Sequence, residues 1–183
     1  MRVVRSFAFL DLCGFTDFAD LHGDNEALAV VQTLRSVVRR VAPDHGVRID
    51  KWLGDGVMLV GVEPGPLLAA AVDAVDELDS SDCQLVVRAG VAGGAVLLVD
   101  GDDYLGRPVN LAARLCGHAR PDEVLAELSF SECLPPDLRA TVIGAVPIRG
   151  FAQAVRLMSV WRPGSERPVP GAFVSPIPQK PVR

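Results

Sequence analysis

Apolar positions in the first part of the chain follow a strand-like and then a helix-like spacing. Residues 3–10 (VVRSFAFL) are rich in β-branched and aromatic side chains, which predicts a strand. Apolar residues then recur every three or four positions, which predicts a helix with Asp24 as its N-cap and an end at Pro43 and Gly46. The periodic residues are Leu28, Val31, Leu34, Val38 and Val41.

The next segment has the pattern of a β-hairpin, a second helix and a further strand. Strand-like runs at 47–53 and 57–62 flank a Gly-Asp-Gly turn at 54–56, and an Asp-Gly pair is a strong signal for a tight turn. Pro64 begins a helix, and residues 84–91 form the strand that follows. The order β-α-β-β-α-β predicts a ferredoxin-like core.

The second half of the chain adds elements to this core. A separate apolar run ends at Val99, and an acidic loop at 100–106 (DGDDYLG) comes before a helix over 109–118. Two strands at 140–147 and 154–161 close the fold. We therefore predict an α/β (α+β) sandwich with a ferredoxin-like βαββαβ core and extra C-terminal strands.

The composition is that of a globular protein. Of the 183 residues, 49% are hydrophobic and 22% are charged, which fits one folded domain better than a disordered chain. Six of the 14 prolines fall in residues 163–183. We therefore predict a domain over 1–162 and a Pro-rich tail over 163–183 that is PPII-like or disordered.

Charge and cysteine usage exclude several classes of partner. The net charge of −5 argues against nucleic-acid binding and against binding to anionic membranes. No apolar stretch is long enough to span a bilayer, so no membrane insertion is expected. The four cysteines form no C-x-x-C pair and the three histidines are scattered, which excludes zinc-ligand spacing and favours a cytoplasmic protein with reduced thiols.

Two aspartates, Asp11 and Asp55, are expected to meet at one edge of the sheet. The strands on either side of a right-handed crossover are parallel, and the hairpin strand returns antiparallel between them, so the first strand ends where the hairpin turns. Two carboxylates beside open glycine backbone suit Mg²⁺, which binds one or two carboxylates together with substrate phosphates. Taken singly, Asp55 is also an ordinary turn residue, and Asp11 an ordinary helix cap.

Several blocks of the sequence resemble the class III nucleotidyl cyclase catalytic domain in order and spacing. They are FLDLCGFTDFAD, KWLGDGVML, RAGVAGGAVLLVDGDDYLGRPVNLAARL, HARPDEVL and the closing segment IRGFAQAVRLMSVW. The resemblance covers about residues 5–161 and implies the catalytic fold of that family. The hairpin reads L-G-D-G, unlike the G-G-D/E-E-F hairpin of the diguanylate cyclases.

The resemblance implies roles for residues at two places in the site. Asp11 and Asp55 match the metal-binding carboxylates of the family, with the backbone carbonyl of Leu12 as an additional ligand. Lys51 and Asp103 match the two residues that recognise the base. All of these positions hold the residue types of an active adenylyl cyclase.

The resemblance also implies a catalytic pair and a reaction. Asn110 matches the ribose-orienting asparagine and Arg114 the arginine that stabilises the transition state; four residues apart on a helix, they share one face. The implied reaction is attack of the ATP 3′-hydroxyl on the α-phosphate, which forms 3′,5′-cyclic AMP and releases pyrophosphate with two divalent ions, Mg²⁺ or Mn²⁺.

Assembly follows from how that family builds its sites. The metal aspartates come from one subunit, and the base, ribose and arginine residues come from its partner. This chain carries both sets, so the resemblance implies a head-to-tail homodimer with shared active sites. The alternatives are a catalytically silent cyclase-like module that binds nucleotide or a partner, and a ferredoxin-like structural domain.

Hydrogen-bond chemistry predicts that the base is adenine. A lysine only donates and an ionised aspartate only accepts, so Lys51 and Asp103 complement the acceptor at N1 and the donor at N6. Guanine has the opposite arrangement, a donor at N1 and the acceptor O6 in place of the N6 donor, so it would not complement this pair. Lys51 is also unusual in the composition, because Lys51 and Lys180 are the only lysines among 18 basic residues.

Two features beside the site have competing interpretations. Asp100 and Asp102 do not fit a calcium loop, because the glutamate that would end the loop is missing, and they are expected to form a solvated turn. Cys13, two residues from Asp11, is either a thiol whose oxidation inhibits the protein or a buried, inert one.

Overall fold

The computed structural model describes residues 1–164, and in this range the chain forms four α-helices and the eight strands of one sheet. The strands are β1 (Arg2–Leu12), β2 (Arg48–Trp52), β3 (Gly56–Gly61), β4 (Val87–Val99), β5 (Asp103–Leu105), β6 (Val124–Glu127), β7 (Arg139–Val146) and β8 (Val155–Trp161). The helices are α1 (Phe15–His22), α2 (Asp24–Asp44), α3 (Pro64–Asp79) and α4 (Arg107–His118), and a 3₁₀ helix spans Leu128–Cys133. From residue 165 onward, the predicted Pro-rich tail lies outside the described residues.

The order of the strands agrees with the predicted core. The sheet runs β2-β3-β1-β4-β6-β8-β7, and β5 pairs with β4 beside this path. Strand β3 lies antiparallel to both β1 and β2, so β1 and β2 are parallel, as the crossover rule predicted. The α/β (α+β) fold with its ferredoxin-like core and the two closing strands is confirmed.

Alternate residues of β1 enter two apolar cores, one on each face of the sheet. Ala8, Leu10 and Leu12 belong to the core that α2 and α3 cover, while Phe7 belongs to the core that α4 covers. Because side chains alternate between the faces of a strand, Asp11 lies on the same face as Phe7. This side of the sheet is called the α4 face below.

Helix α4 packs directly onto β4 because Gly90 has no side chain. A Cβ at Gly90 would lie 2.0 Å from the backbone nitrogen of Cys116 and 2.4 Å from the carbonyl oxygen of Ala112. The backbone of α4 therefore approaches the sheet as closely as glycine allows. This contact sets the position of every side chain that α4 carries.

The boundaries of α2 correct two details of the prediction. Asp24 is the first residue of the helix and not its N-cap; the cap is Gly23, whose φ of 88° favours glycine and whose carbonyl accepts the Ala27 N–H at 3.1 Å. The helix also continues through Pro43 to Asp44. A proline in the last turn removes only one backbone hydrogen bond, so it does not stop the helix there.

One long strand replaces the two apolar runs predicted between residues 84 and 99. Strand β4 passes through Gly93 and Gly94, which both pair with β1. Strands β5 and β6 were not predicted, because segments of three or four residues are too short to show a periodicity. Within residues 1–164, no helix has the length and apolar character needed to cross a membrane.

Candidate active site

Asp11 and Asp55 lie together at the edge where β1 ends and the β2–β3 hairpin turns. Asp11 pairs with Gly56 in the ladder, and the Leu12 N–H donates to the Asp55 carbonyl oxygen at 3.3 Å. Burial raises the pKa of the Asp55 carboxyl, and the negative charge of Asp11 raises it further. The two carboxylates are therefore near enough to repel each other, an arrangement that a bound cation would relieve.

Arg88 lies beside these carboxylates, although the resemblance gave no role to this first residue of the RAGVAGG block. It stands opposite Asp11 in the β1–β4 ladder, and its Nε and Nη2 donate to Asp11 Oδ2 at 3.1 and 2.7 Å. The other oxygen, Oδ1, lies beside Gly56, 3.6 Å from the position that a Cβ would take there. The available signal was that Arg88 is the only charged residue in the apolar stretch 85–99.

The carboxylates at this edge suit a divalent ion whose remaining ligands are water and the phosphate oxygens of a bound ligand. Within residues 1–164, no group of three or more His, Cys, Asp or Glu side chains is arranged to hold a metal. Mg²⁺ needs only one or two carboxylates when substrate phosphates and water complete its coordination. Asp11 and Asp55 therefore fit a divalent ion of this kind, and the backbone carbonyl of Leu12 follows directly in the chain.

Lys51 and Asp103, 52 residues apart in sequence, are in contact. Lys51 Nζ donates to Asp103 Oδ1 at 2.6 Å, and the same oxygen accepts the Tyr104 N–H at 2.9 Å. These hydrogen bonds, first of all the one from Lys51, lower the pKa of the Asp103 carboxyl. A donor-only and an acceptor-only group thus lie side by side near the end of β2 and at the start of β5.

Asn110 and Arg114 lie on the exposed side of α4 and line a cleft of about 770 Å³. The connection between β7 and β8 forms the opposite wall with Arg149, and Arg107 at the start of α4 also lines the cleft. Among the described residues, neither Arg114 nor Arg149 has a hydrogen-bond or ion-pair partner. The cleft therefore presents free cationic donors, which suits a polyanionic ligand.

Arg149 is a further cleft residue to which the sequence motifs give no role. It lies in the segment IRGFAQAVRLMSVW and is the only charged residue between 147 and 154, which was the signal available. Arg114 and Arg149 are far apart in the sequence, so the sequence alone does not indicate that both line the same cleft.

The edge that carries Asp11 and Asp55 (the carboxylate edge) and the cleft lined by Arg107, Arg114 and Arg149 (the arginine cleft) form separate pockets within one chain. A pocket of about 200 Å³ at the edge is lined by residues that include Asp11, Gly56 and Ala113. Ala113 is the only lining residue that it shares with the arginine cleft. Within the described part of the chain, the predicted site residues thus form distinct groups.

Cys13 is half-buried next to the carboxylate edge. Burial raises the pKa of its thiol, so the thiolate that oxidants attack is disfavoured. Its surroundings favour the inert interpretation.

Comparison with known proteins gives related sequences and a shared fold. No protein-family model matches the chain. An uncharacterized protein of Mycobacterium tuberculosis is 38% identical over 149 residues, which cover 81% of this chain and 39% of that protein. A pH-sensitive adenylate cyclase of the same species is 35% identical over 160 residues, 85% of this chain and 40% of that protein.

Solved structures share the architecture of this chain. The guanylate cyclase domain from Catenaria anguillulae in complex with GTP superposes with a TM-score of 0.78 at 16% identity, covering 88% of this chain and 98% of that domain. The chain spans about two fifths of the length of the curated relatives it matches.

Proposed function

Since this chain belongs to the class III nucleotidyl cyclase family, we propose that it converts ATP into 3′,5′-cyclic AMP and pyrophosphate. The 2.6 Å contact between Lys51 Nζ and Asp103 Oδ1 carries the choice of ATP. The ammonium group donates to N1 of adenine, and the carboxylate accepts from N6. Guanine would present O6 to the carboxylate and an N–H at N1 to the ammonium group, so both hydrogen bonds would be lost.

The carboxylate edge is the proposed metal site. Asp11 and Asp55, with the backbone carbonyl of Leu12, would hold two divalent ions, Mg²⁺ or Mn²⁺. Bound there, the ions lower the pKa of the ATP 3′-hydroxyl and neutralise triphosphate charge. Arg88 orients the Asp11 carboxylate through two hydrogen bonds onto Oδ2.

The arginine cleft is the proposed phosphate site. Arg114 donates to the α-phosphoryl group as its charge redistributes, and Arg149 across the cleft binds the phosphates that leave. Asn110, one helical turn before Arg114, orients the ribose so that O3′ faces the α-phosphorus. The O3′–Pα bond forms as the 3′-hydroxyl gives its proton to water and the bond from Pα to the bridging oxygen breaks, and pyrophosphate leaves with that electron pair.

A head-to-tail homodimer would join the two hollows into complete sites. The carboxylate edge and the arginine cleft share only Ala113 among their lining residues. In a two-fold dimer the metal aspartates of one protomer face the base, ribose and arginine residues of its partner, and the symmetry creates two such sites. We infer that the active species is this dimer.

The direct test is production of cyclic AMP from ATP and Mn²⁺ by the wild type and by Asp55→Ala. The wild type is expected to be active, and Asp55→Ala to lose about 100-fold or more, because a ligand of the charge-neutralising ions is gone. Asp82→Ala, at an exposed turn residue, is the matched control and should keep full activity. Nucleotide binding without cyclic AMP from any of the three proteins would instead identify a silent nucleotide-binding module.

A further inference from the structure

Strand β2 carries a β-bulge at Asp50. Ile49 pairs with Leu59 and Lys51 pairs with Met58, so Asp50 is an extra residue with no partner in β3. Bulges re-aim neighbouring side chains and are frequent beside active sites. This bulge comes directly before Lys51.

The bulge brings Arg48 and Lys51 onto the same face of the sheet. On a regular strand, side chains three residues apart point to opposite faces. Arg48 pairs with Val60 and Lys51 with Met58, and Val60 and Met58 both belong to the core under α4. Both basic side chains therefore lie on the α4 face, where Tyr104 of β5 also packs.

Arg48 links β2 to β5. Its Nη2 donates to Asp50 Oδ1 and, at 3.2 Å, to the Tyr104 hydroxyl, and its guanidinium lies 5.7 Å from the centroid of the Tyr104 ring. The Tyr104 ring meets Phe7 edge-on at 5.3 Å, which anchors it to β1. Because the Tyr104 N–H donates to Asp103 Oδ1, the position of Tyr104 sets that of the Asp103 carboxylate.

The Asp50 carboxylate is buried and only partly hydrogen-bonded to the described residues. Its side chain is 3% exposed, and its Oδ2 is buried with no hydrogen-bond partner among the described residues. Burial raises the pKa of this carboxyl, as expected for a charge partly removed from water. A carboxylate kept at such a cost provides a fixed anion that holds the Arg48 guanidinium in one place.

The Lys51–Asp103 pair needs support of this kind. The two side chains are 44% and 59% exposed, and exposed ion pairs hold their geometry weakly because water screens them. Strand β5 has only three residues, and among the described strands it pairs with β4 alone. The few backbone hydrogen bonds between β5 and β4 therefore do not fix the orientation of the Asp103 carboxylate.

We propose that Arg48, Asp50 and Tyr104 form a positioning clamp that holds the Lys51–Asp103 pair in the geometry that distinguishes adenine from guanine. This inference rests on the proposed function, because it concerns how the same pair selects its base. Arg48 is a positioning residue, since it acts on the base through Tyr104 and Asp103. A lysine at position 48 would keep the charge but lack the planar fork of donors that reaches both partners.

The test compares Arg48→Met, Arg48→Lys and Tyr104→Phe with the wild type. Arg40→Met is the matched control, because the ion pair of Arg40 with Glu77 joins α2 to α3 and not β2 to β5. Calorimetry with Mn²⁺ measures the binding of 3′-deoxy-ATP and 3′-deoxy-GTP, which lack the attacking hydroxyl. The melting temperature, and kcat and KM for cyclic AMP formation, are measured on the same preparations.

Arg48→Met is expected to weaken 3′-deoxy-ATP binding about tenfold and leave 3′-deoxy-GTP binding nearly unchanged, because a charge-assisted link is lost. Tyr104→Phe, which loses the hydroxyl and keeps the ring, should show about a threefold effect. Arg48→Lys should not restore the preference. KM should rise in parallel while kcat changes less than about twofold, and Arg40→Met should match the wild type.

Variants that lose melting temperature or kcat but keep the wild-type preference for the adenine nucleotide would overturn the clamp. A wild type without that preference would overturn it as well. A wild type that binds 3′-deoxy-ATP selectively but makes no cyclic AMP would contradict the proposed activity, while the binding ratios of the variants would still decide the clamp.

Discussion

At the scale of single residues, the contact between Lys51 and Asp103 determines the charge state of the proposed base-recognition pair. The hydrogen bond between them raises the pKa of Lys51 and lowers that of Asp103. The pair is therefore lost only when the pH falls through the lowered pKa of Asp103 or rises through the raised pKa of Lys51. Both groups stay charged across the neutral range, so base selection should not change there.

Lys51→Arg is expected to fold normally and to lose at least about tenfold in cyclic AMP formation. A broad guanidinium fork does not fit where one donor is aimed at N1 of adenine. Melting temperature and initial rates with ATP and Mn²⁺ measure the two effects. Lys180→Arg, at the only other lysine of the sequence, is the control and should behave as wild type. Full activity in Lys51→Arg would remove Lys51 from base recognition.

At the scale of secondary-structure elements, the packing of α4 on β4 decides where the proposed catalytic pair, Asn110 and Arg114, lies. Helix α4 carries Asn110 and Arg114 on its exposed side, while Leu111 and Leu115 are fully buried against the sheet. The close approach at Gly90 sets the height of the helix, and the Arg88 guanidinium reaches the Gly117 carbonyl oxygen at 3.4 Å. A shift of α4 therefore moves the arginine cleft relative to the carboxylate edge.

Gly90→Ala is expected to displace α4, because the new Cβ would lie 2.0 Å from the backbone of Cys116. Such overpacking costs about 1–3 kcal/mol or more, which corresponds to a fall of roughly 2–12 °C in melting temperature for a domain of this size. Cyclic AMP formation should fall more than the fraction of unfolded protein explains. Calorimetry and rates on one preparation separate the two effects.

The stability control for this substitution is Gly117→Ala in the same helix. A Cβ at Gly117 would meet nothing within 4 Å, so its melting temperature should equal or exceed that of the wild type. Equal melting temperatures for Gly90→Ala and Gly117→Ala would show that the α4–β4 contact is not tight.

At the scale of the whole molecule, the two pockets on the α4 face support the proposal that the chemistry takes place between protomers. Asp11, a proposed metal ligand, lines one pocket of the chain, and the proposed phosphate ligands Arg114 and Arg149 line another. Each protomer of a two-fold dimer would then contribute one half of each of two sites. This arrangement makes activity depend on how mutant chains are combined.

Mixed dimers of Asp55→Ala and Arg114→Ala are expected to regain activity that neither variant has alone. In a mixed dimer one composite site carries both substitutions and the other carries none. Random association of equal amounts makes half of the dimers mixed, so about a quarter of wild-type activity should return. Co-expression followed by measurement of cyclic AMP formation tests this.

The control combines Asp11→Ala with Asp55→Ala, which damage the same half of the site. No activity should return there, because each composite site then lacks one metal ligand. Absence of recovery with Asp55→Ala and Arg114→Ala, despite proven mixed dimers, would place the whole site within one chain.

Short-range patterns in the sequence were sufficient to predict most of the elements. Periodicity, the prolines of α3 and the Asp-Gly turn act within a few residues, so they do not depend on the rest of the fold. The handedness of the crossover then predicted the meeting of Asp11 with Asp55, because the rule holds for almost any sheet. The resemblance to cyclases added the pairing of Lys51 with Asp103, which local patterns do not contain.

Other contacts between distant side chains were decided only by the tertiary structure. Arg88 meets Asp11 across 77 positions because of the β1–β4 register, and Arg149 faces Arg114 because the β7–β8 connection folds over α4. The bulge at Asp50 is likewise a property of how β2 pairs with β3. Register and packing are determined by the sum of many contacts between separate segments, so no local stretch of residues encodes them.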